Sequence, residues 1–304
     1  MNNRSEVRDF LASRRAKVTP EQVGLATDGR ARRVPGLRRN EVAELAGVSV
    51  EYYTQLERGN IRGASESVLD ALARALRLDE AERSHLFDLV RAANSSAAVR
   101  QRPAGQRVRP AIQAILDAQL SPAWVSNTLG DVVATNILGR AYLSPLFDDP
   151  ARPVNTARFR FLNPRAVDYY LDWEQTAADT VASLRIRAGK NPYDKALTNL
   201  IGELCTRSEE FSTRWAEHDV RYHRTGRKRV HHPVVGELTL SYEALELPSD
   251  DGLVLYIFTA APDSPDAHAL SLLASWATTP DTVPDDIGAN TSLDAHQDTP
   301  KGRQ

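Results

Sequence analysis

The stretch "AELAGVSVEYYTQLERG", residues 43–59, places two short apolar-periodic segments on either side of a Gly-Val-Ser corner. A helix of eight or nine residues is marginal in water, so each segment must bury an apolar face. Gly47 can take the positive φ that ends the first helix, Ser49 can cap the second, and Gly59 can end it. The spacing therefore predicts a helix-turn-helix. Its inward faces are expected to come from Ala43, Leu45, Ala46, Val48, Tyr53 and Leu56.

The second helix of such a motif keeps its outer face free to enter a DNA major groove, which is about 12 Å wide. In that groove Gln can pair with adenine, Glu can accept from cytosine, and Val or Thr can touch a thymine methyl. The start of the first helix suits a phosphate, because its N–H groups are unpaired. On spacing alone, an ordinary helical hairpin in a bundle is the alternative. The candidate DNA contacts are Arg38, Arg39, Asn40, Ser49, Val50, Glu51, Tyr52, Thr54, Gln55 and Arg58.

The net charge of −2 hides a change of sign along the chain. Residues 1–110 carry 20 Lys/Arg and 14 Asp/Glu, whereas residues 111–304 carry 18 and 26. A basic front half and an acidic rear half indicate different partners, with nucleic acid as one class for the front half. A chance distribution is the alternative.

Helical periodicity predicts five helices in the front half, and a basic, proline-containing stretch follows them. That stretch is expected to be a linker, with contact to DNA phosphates as the alternative. From residue 280 the chain is polar and poor in apolar residues, so we expect a disordered tail. The predicted units are a DNA-binding domain over 1–93, a linker over 94–107, a second domain over 108–278 and a tail over 279–304. The front helices are predicted at 4–16, 39–46, 50–58, 65–76 and 80–93.

The rear half alternates hairpin signals with helical patterns. One hairpin is predicted around Gly130-Asp131, and a second joins two strands through "PSDDG", residues 248–252. Pro164 is expected at the first position of a long helix. These hairpins agree with an antiparallel sheet with helices, so the whole chain is predicted to be α+β. The rear helices are predicted at 137–147, 164–188 and 266–277, with one or two more over 194–217.

The stretches "RRNEVAELAGVSVEYYTQLERG" (38–59) and "SESVLDALARALRL" (65–78) closely resemble the Xre/Cro-repressor helix-turn-helix family. The resemblance implies a lambda-repressor-like five-helix domain that binds double-stranded DNA through residues 50–58. It also implies an internal ion pair for Glu57, while Tyr52 either packs or reaches a phosphate.

The insert over residues 18–36 departs from that family, in which only a few residues separate the first two helices. With "VPGLRRNEVAELAGVSVEYYTQLERG" (34–59) it resembles the MmyB-like transcription regulators, a bacterial branch. We hypothesise that Arg30, Arg32 and Arg33 lie along the DNA backbone or reach a minor groove. A solvated loop is the alternative.

The resemblance to the MmyB-like family extends over "PAWVSNTLGDVVATNILGRAYL" (122–143), "HHPVVGELTLSYEALELP" (231–248) and "GLVLYIFTAAPDSPDAHALSLLASW" (252–276). It implies a PAS-like domain that binds a small apolar, fatty-acid-like ligand. Such a pocket needs aromatic walls and a few polar anchors; a plain core role is the alternative for each residue. Candidate ligand contacts are Trp124, Phe159, Phe161, Tyr170, Trp173, Trp215, His218, Tyr222 and Tyr242, with Tyr169, Leu200, Phe211, Leu240 and Phe258 as further wall residues and Arg160 and His232 as further anchors.

No pattern in the sequence indicates catalysis, a metal or another cofactor. His231 and His232 would point to opposite faces of a strand, so both cannot easily join one site. The single cysteine, Cys205, is expected to be buried, and it excludes an intramolecular disulfide. No apolar run approaches the ~18 residues of a membrane span, and the start "MNNRSEVRDF" lacks a signal-peptide core, so a cytoplasmic chain without membrane contact is expected.

The sequence therefore predicts a ligand-responsive transcriptional repressor that acts as a homodimer. Two DNA-binding units would multiply affinity and specificity across two half-sites. The alternative is a small-molecule binding protein whose helical front end docks a protein partner.

Overall fold

The structure, a computed structural model, describes residues 3–25, 34, 36–94, 107–220 and 225–279. Several predicted features lie outside the described residues. These are the arginines of the insert, one pocket candidate, most of the linker and nearly all of the tail: Arg30, Arg32, Arg33, Tyr222, 95–106 and 280–304.

The front half forms five helices around one apolar core. Val7, Phe10, Tyr53 and Leu72 are fully buried in that core because they repeat at helical spacing on facing helices. Leu45 was expected to point inward, but it lies on the exposed side of its helix, so that expectation was wrong. The helices are α1 Asn3–Lys17, α2 Arg39–Ala46, α3 Val50–Glu57, α4 Glu66–Ala75 and α5 Glu80–Asn94.

The corner between α2 and α3 has the predicted chemistry. Gly47 has a φ of +66° and donates its N–H to carbonyls of the last turn of α2. The Ser49 hydroxyl accepts from the N–H of Tyr52 and caps α3. Gly59, with a φ of +88°, follows α3, and a Cβ there would lie 2.2 Å from the carbonyl oxygen of Arg4. The corner thus fixes how α3 packs on the other helices.

The rear half contains a five-stranded antiparallel sheet in the order β2-β1-β5-β4-β3. Trp124 of β1 pairs with Tyr256 of β5, and Tyr242 of β4 pairs with Phe258 of β5, which places an aromatic row across the sheet. His231 is exposed and His232 is buried, as strand alternation predicts. The strands are β1 Ala123–Ser126, β2 Val132–Thr135, β3 Thr225–His232, β4 Gly236–Glu246 and β5 Val254–Thr259.

Helices before, between and after the strands cover this sheet. Together the two halves confirm the predicted α+β class, with an all-α helix-turn-helix part and a PAS-like part. Within the described residues, no helix is long and apolar enough to span a bilayer. The rear helices are α6 Pro110–Asp117, α7 Ile137–Tyr142, α8 Ser144–Phe147, α9 Thr156–Leu162, α10 Arg165–Tyr169, α11 Trp173–Lys190, α12 Lys195–Arg207, α13 Glu209–Ala216 and α14 Pro265–Ala277.

The single long helix predicted over 164–188 was wrong, because the chain breaks between α10 and α11. Tyr170 leaves the helical conformation and forms a bridge to Val230, and the N–H of Leu171 donates to the carbonyl of Arg229. Pairing with the edge strand β3 therefore overrides the local helical pattern. Pro164 precedes α10 as its N-cap rather than occupying its first turn.

The two halves contact each other through α11, which packs against α5. Ile186 of α11 and Val220, which follows α13, join the apolar core of the front half. The apolar interface thus brings a rear helix directly onto the helix-turn-helix part.

Candidate functional site

The outer face of α3 is exposed, as the helix-turn-helix arrangement requires. Val50 is 40% exposed although it is apolar, and Glu51, Gln55 and Arg58 are also exposed. Thr54 is half-buried, and its hydroxyl donates to the carbonyl of Val50 at 2.7 Å. Four of these five side chains are polar, so the face can offer hydrogen bonds to base edges. Their DNA roles stay predictions.

Asn60 is a residue of this face that the sequence analysis missed. Its side-chain amide donates to the Oε1 atom of Gln55 at 2.7 Å. This contact orients the Gln55 amide, because it fixes which end of the group is the acceptor. Asn60 directly follows the terminal Gly59, a position where the sequence carries no periodic signal.

Glu57 ties α3 to the rest of the front half and confirms the expected internal ion pair. Its carboxylate is 2% exposed and accepts from Arg15 at 2.6 Å and from the Nε atom of Arg39. The hydroxyl of Tyr53 donates to it at 3.3 Å. Burial, followed by the charge of Glu57, raises the pKa of Tyr53 far above its usual value. Glu57 therefore links α3 to α1 and α2.

The N-terminus of α2 is partly used inside the protein. Arg38, Arg39 and Asn40 are exposed there, as a phosphate contact requires. However, the N–H of Arg38 donates to the Glu41 carboxylate at 2.6 Å, so an internal anion already caps this helix. A phosphate would meet mainly the arginine side chains. Ser49 and Tyr52 flank them at the start of α3, where Tyr52 is exposed.

A cavity of about 120 Å³ lies between the sheet, α9 and α11. One wall is aromatic: Trp124 stacks on Phe258 with ring centres 4.7 Å apart, and Tyr242 stacks on the same ring at 5.4 Å. This wall offers a broad apolar surface to a ligand. Its aromatic residues are Trp124, Tyr142, Tyr170, Tyr242, Tyr256 and Phe258.

A second part of the lining, here called the polar wall, comes from α9, α11 and β3 and carries an excess of positive charge. The described lining residues include three cations, Arg160, Arg187 and Lys228, but a single carboxylate, that of Asp179. Lys228 and Asp179 form a 2.6 Å ion pair, and burial lowers the pKa of Lys228 although Asp179 opposes this. The guanidinium of Arg160 lies 4.6 Å above the ring of Tyr170 and donates to the hydroxyl of Thr180. An anionic group is the complement of this wall.

Some predicted ligand contacts meet at the cavity and others do not. Trp124, Tyr170 and Tyr242 line it together, as do the further candidates Phe258 and Arg160. The remaining described members of the predicted ligand set lie elsewhere: Phe159, Phe161, Trp173, Trp215 and His218.

The excluded aromatic residues belong to packed clusters. Phe159 packs edge-on against Tyr169 in the core under the sheet, and Phe161 packs edge-on against Phe211 at 5.0 Å. Trp215 stacks on Phe211 at 5.6 Å. The indole N–H of Trp173 donates to the carbonyl of Arg160 at 3.2 Å, so Trp173 supports the cavity from outside.

Both histidine anchors lie away from the cavity. His218 contacts Arg185 and Glu6 at the boundary between the two halves. His232 approaches the carbonyl of Ala141 at 3.0 Å, and burial lowers its pKa. Neither imidazole lines the cavity, and each has a partner elsewhere in the protein.

The polar wall was largely missed by the sequence analysis. Its residues on α11 are spaced three and four apart, which places them on one face of that helix. This periodic polar stripe was a usable signal, although the helix was predicted without its correct start. The stripe consists of Thr176, Asp179, Thr180, Ser183 and Arg187.

The described residues hold no group of three or more His, Cys, Asp or Glu side chains that could bind a metal ion. Cys205 is half-buried, and burial raises the pKa of its thiol, which disfavours the thiolate.

A family model described as "MmyB-like transcription regulator ligand binding domain" matches residues 108–273, which is more than half of the chain. The chain belongs to the MmyB-like transcription regulators. A second model, described as "Helix-turn-helix domain", matches residues 6–86. No curated protein matches the chain. The two domains together are those of a ligand-responsive, DNA-binding transcription regulator; in this MmyB-like chain the exposed α3 face lies within the first matched range and the cavity lies within the second.

Proposed function

We propose that the chain is a dimeric repressor that reads its operator through α3 and releases or retains DNA according to occupancy of the cavity. The observation that carries this proposal is the polar, exposed face of α3 in a chain that also encloses a charged and aromatic cavity. The DNA-reading residues are proposed to be Val50, Glu51, Thr54, Gln55 and Arg58, with Arg38, Arg39, Asn40, Ser49 and Tyr52 on phosphates.

The proposed ligand is a small amphiphilic anion, such as a fatty-acid-like carboxylate. Its carboxylate would pair with Lys228 and Arg160, whose charges exceed the single carboxylate of Asp179. Its apolar part would lie on Trp124 and Phe258. The cavity of about 120 Å³ is smaller than the roughly 150 Å³ that accommodates benzene in an engineered core, so a longer apolar chain enters only if a wall of the cavity moves.

Dimerisation supports this function energetically. A single helix-turn-helix contacts one half-site, whereas a two-fold dimer contacts two half-sites about 34–36 Å apart. We therefore expect a palindromic operator. Native mass spectrometry of the freshly purified full chain would report the number of chains and any co-purified small molecule in one measurement.

The DNA-binding part is tested by titrating labelled duplex from upstream of the chain's own gene in a fluorescence anisotropy assay. Thr54→Ala and Gln55→Ala are expected to lose discrimination against unrelated duplex while remaining folded. A wild-type chain that binds no DNA at low salt would contradict the regulator proposal.

The ligand part is tested by calorimetric titration with dodecanoate. Lys228→Met is expected to weaken binding at least tenfold, because it removes the cation that pairs with the carboxylate. Lys195→Met is the matched control, since Lys195 is exposed on α12. Equal affinities of the two variants would contradict the proposed anion contact.

The insert is also proposed to contribute to DNA affinity through Arg30, Arg32 and Arg33. Each phosphate contact adds about 0.9 to the slope of log affinity against log salt. Replacing all three with Ala is expected to reduce this slope by about 2 to 3. An unchanged slope would exclude backbone contacts by these arginines.

A further inference from the structure

Two faces of helix α11 contact different parts of the protein. One face carries Thr176, Thr180 and Ser183 into the cavity wall. Across the helix, Arg185 and Gly189 lie against the front half. A shift of α11 that accommodates a ligand must therefore also disturb contacts with the helix-turn-helix domain, since a packed helix moves as a unit.

Arg185 is the central contact of the second face. Its side chain is fully buried and donates to the carboxylate of Glu6 on α1. It also donates to the carbonyl of Trp215, and its guanidinium lies 4.0 Å above the Trp215 ring. The Nδ1 atom of His218 lies 2.8 Å from it. This network joins the two domains by charge as well as by packing.

A second set of contacts reinforces the same boundary. Arg14 of α1 bonds Glu82 of α5 at 2.5 Å and also donates to the carbonyl of His218. Asp219 accepts from Lys17 and lies 3.3 Å from Arg14. The segment after α13 is thus held by the basic end of α1.

The boundary also contains polar atoms without partners. Both ring nitrogens of His85 and the Nε atom of Arg185 are buried without a hydrogen bond among the described residues. A Cβ on Gly189 would lie 2.5 Å from the His85 ring, so α11 and α5 leave no space for a larger side chain at this position. Unsatisfied buried groups oppose docking, so the charged and apolar contacts of the boundary must outweigh their cost.

We propose that α11 couples the cavity to the DNA-binding domain, with an anionic ligand loosening the Arg185–Glu6 contact by competing with Asp179 for Lys228. This inference rests on the proposed ligand-responsive function and specifies how it operates. Asp179 belongs to α11 and Lys228 to β3, so their 2.6 Å ion pair anchors the helix to the sheet. A ligand carboxylate that takes Lys228 releases that anchor, and the displaced helix withdraws Arg185 from Glu6.

The coupling is tested first without a ligand, by filling the cavity from α11 with Ser183→Phe. Amide hydrogen exchange of α1 and α5 in the full-length chain is the readout. We expect at least fivefold faster exchange there than in wild type, with Thr180→Leu as a second variant if Ser183→Phe does not fold. Unchanged exchange in α1 and α5 of a folded, cavity-filled variant would overturn the proposal.

The reciprocal arm uses dodecanoate binding measured by calorimetry. Gly189→Ala forces α11 away from His85, whereas the matched control Gly202→Ala on α12 meets nothing within 4 Å. Loosened docking should help the ligand, so Gly189→Ala is expected to bind dodecanoate about fivefold tighter or more than Gly202→Ala. A merely structural role would not tighten binding.

Equal dodecanoate affinity of the two glycine variants would overturn the coupling. Failure of dodecanoate to bind every variant would instead contradict the proposed ligand class. The Ser183→Phe exchange result decides the coupling in that case, so the two failures are distinguishable.

Discussion

The guanidinium of Arg185 lies across the domain boundary from the carboxylate of Glu6 and donates a hydrogen bond to it. The two residues are 179 positions apart, so folding brings the DNA-binding and ligand-binding halves together around one buried charge pair. Removing one partner of such a pair leaves the other charge buried without compensation, whereas replacing both partners with apolar residues can leave stability nearly unchanged.

Arg185→Met is expected to destabilise the chain by about 3 to 5 kcal/mol, because Glu6 is left buried without its cation. Urea unfolding monitored by circular dichroism measures the change. The double variant Glu6→Leu/Arg185→Met should recover part of the loss, since it buries no unpaired charge. A single variant as stable as wild type would show that the contact contributes nothing to docking.

His85 makes stability depend on pH. Burial, opposed by the charge of Glu6 and supported by those of Arg185 and Arg14, lowers the pKa of His85 to about 3. Because the unfolded state protonates at about 6.5, the folded state is progressively disfavoured as pH falls from 6.5 towards 3. The full loss is roughly 3 to 5 kcal/mol, at about 1.36 kcal/mol per pKa unit.

His85→Leu tests this directly. The leucine removes two unpartnered nitrogens, so the variant is expected to gain about 1 to 3 kcal/mol at pH 7 and to lose less stability at pH 5. Urea midpoints at the two pH values provide the measurement. Parallel losses in wild type and variant would refute the assignment to His85.

Protonation of Glu6 also makes the stability of the fold depend on pH. Burial alone would raise its pKa, but hydrogen bonding with His218 and the charge of Arg185 outweigh burial and lower the pKa to about 2. The stabilisation is therefore complete above the unfolded value of about 4.5 and is lost as pH falls towards 2. Glu6→Gln should flatten the stability curve in that window, and an unchanged curve would exclude Glu6 as its source.

Glu57→Gln is expected to destabilise the helix-turn-helix by about 2 to 4 kcal/mol, because Arg15 loses its carboxylate partner. Arg15 is largely buried, so water cannot replace that partner fully. Thermal unfolding of the variant should show the loss, while the exposed Glu66→Gln on α4 should not. If both variants unfold at the same temperature as wild type, the Glu57 carboxylate does not stabilise the helix-turn-helix as its contacts indicate.

Asn60→Ala is expected to reduce discrimination at the base that Gln55 is proposed to read. Without the 2.7 Å contact, the Gln55 amide must be ordered on binding, and about 1 kcal/mol of specificity should be lost. Competition between matched and single-base-changed duplexes measures this. Asn94→Ala, at the end of α5, serves as the control, and equal discrimination by the two variants would contradict a positioning role for Asn60.

Local sequence patterns were sufficient to predict the helix-turn-helix. Gly47, Ser49 and Gly59 act through their own backbone or the next turn, so the sequence revealed their roles. The face containing Tyr53 and Leu56 follows from the 3.6-residue period alone. Leu45 was misassigned because apolar residues also occur on exposed faces.

Long-range contacts were not predictable in this way. The break at Tyr170 arises from pairing with Val230, which is 60 residues distant in the chain. Aromatic residues indicate an apolar pocket from the sequence alone, whereas Asp179 and Lys228 were not predicted, because their charges become informative only when the fold pairs them. For the same reason, His218 was predicted at the cavity instead of at the domain boundary.

The central claim is that one chain couples cavity occupancy to DNA binding. The most direct test is an anisotropy titration of the full-length chain against a duplex selected from a random library, with and without saturating dodecanoate. The account predicts that the dissociation constant for the duplex changes at least about fivefold. Coincident curves, with calorimetry showing dodecanoate bound, would contradict it.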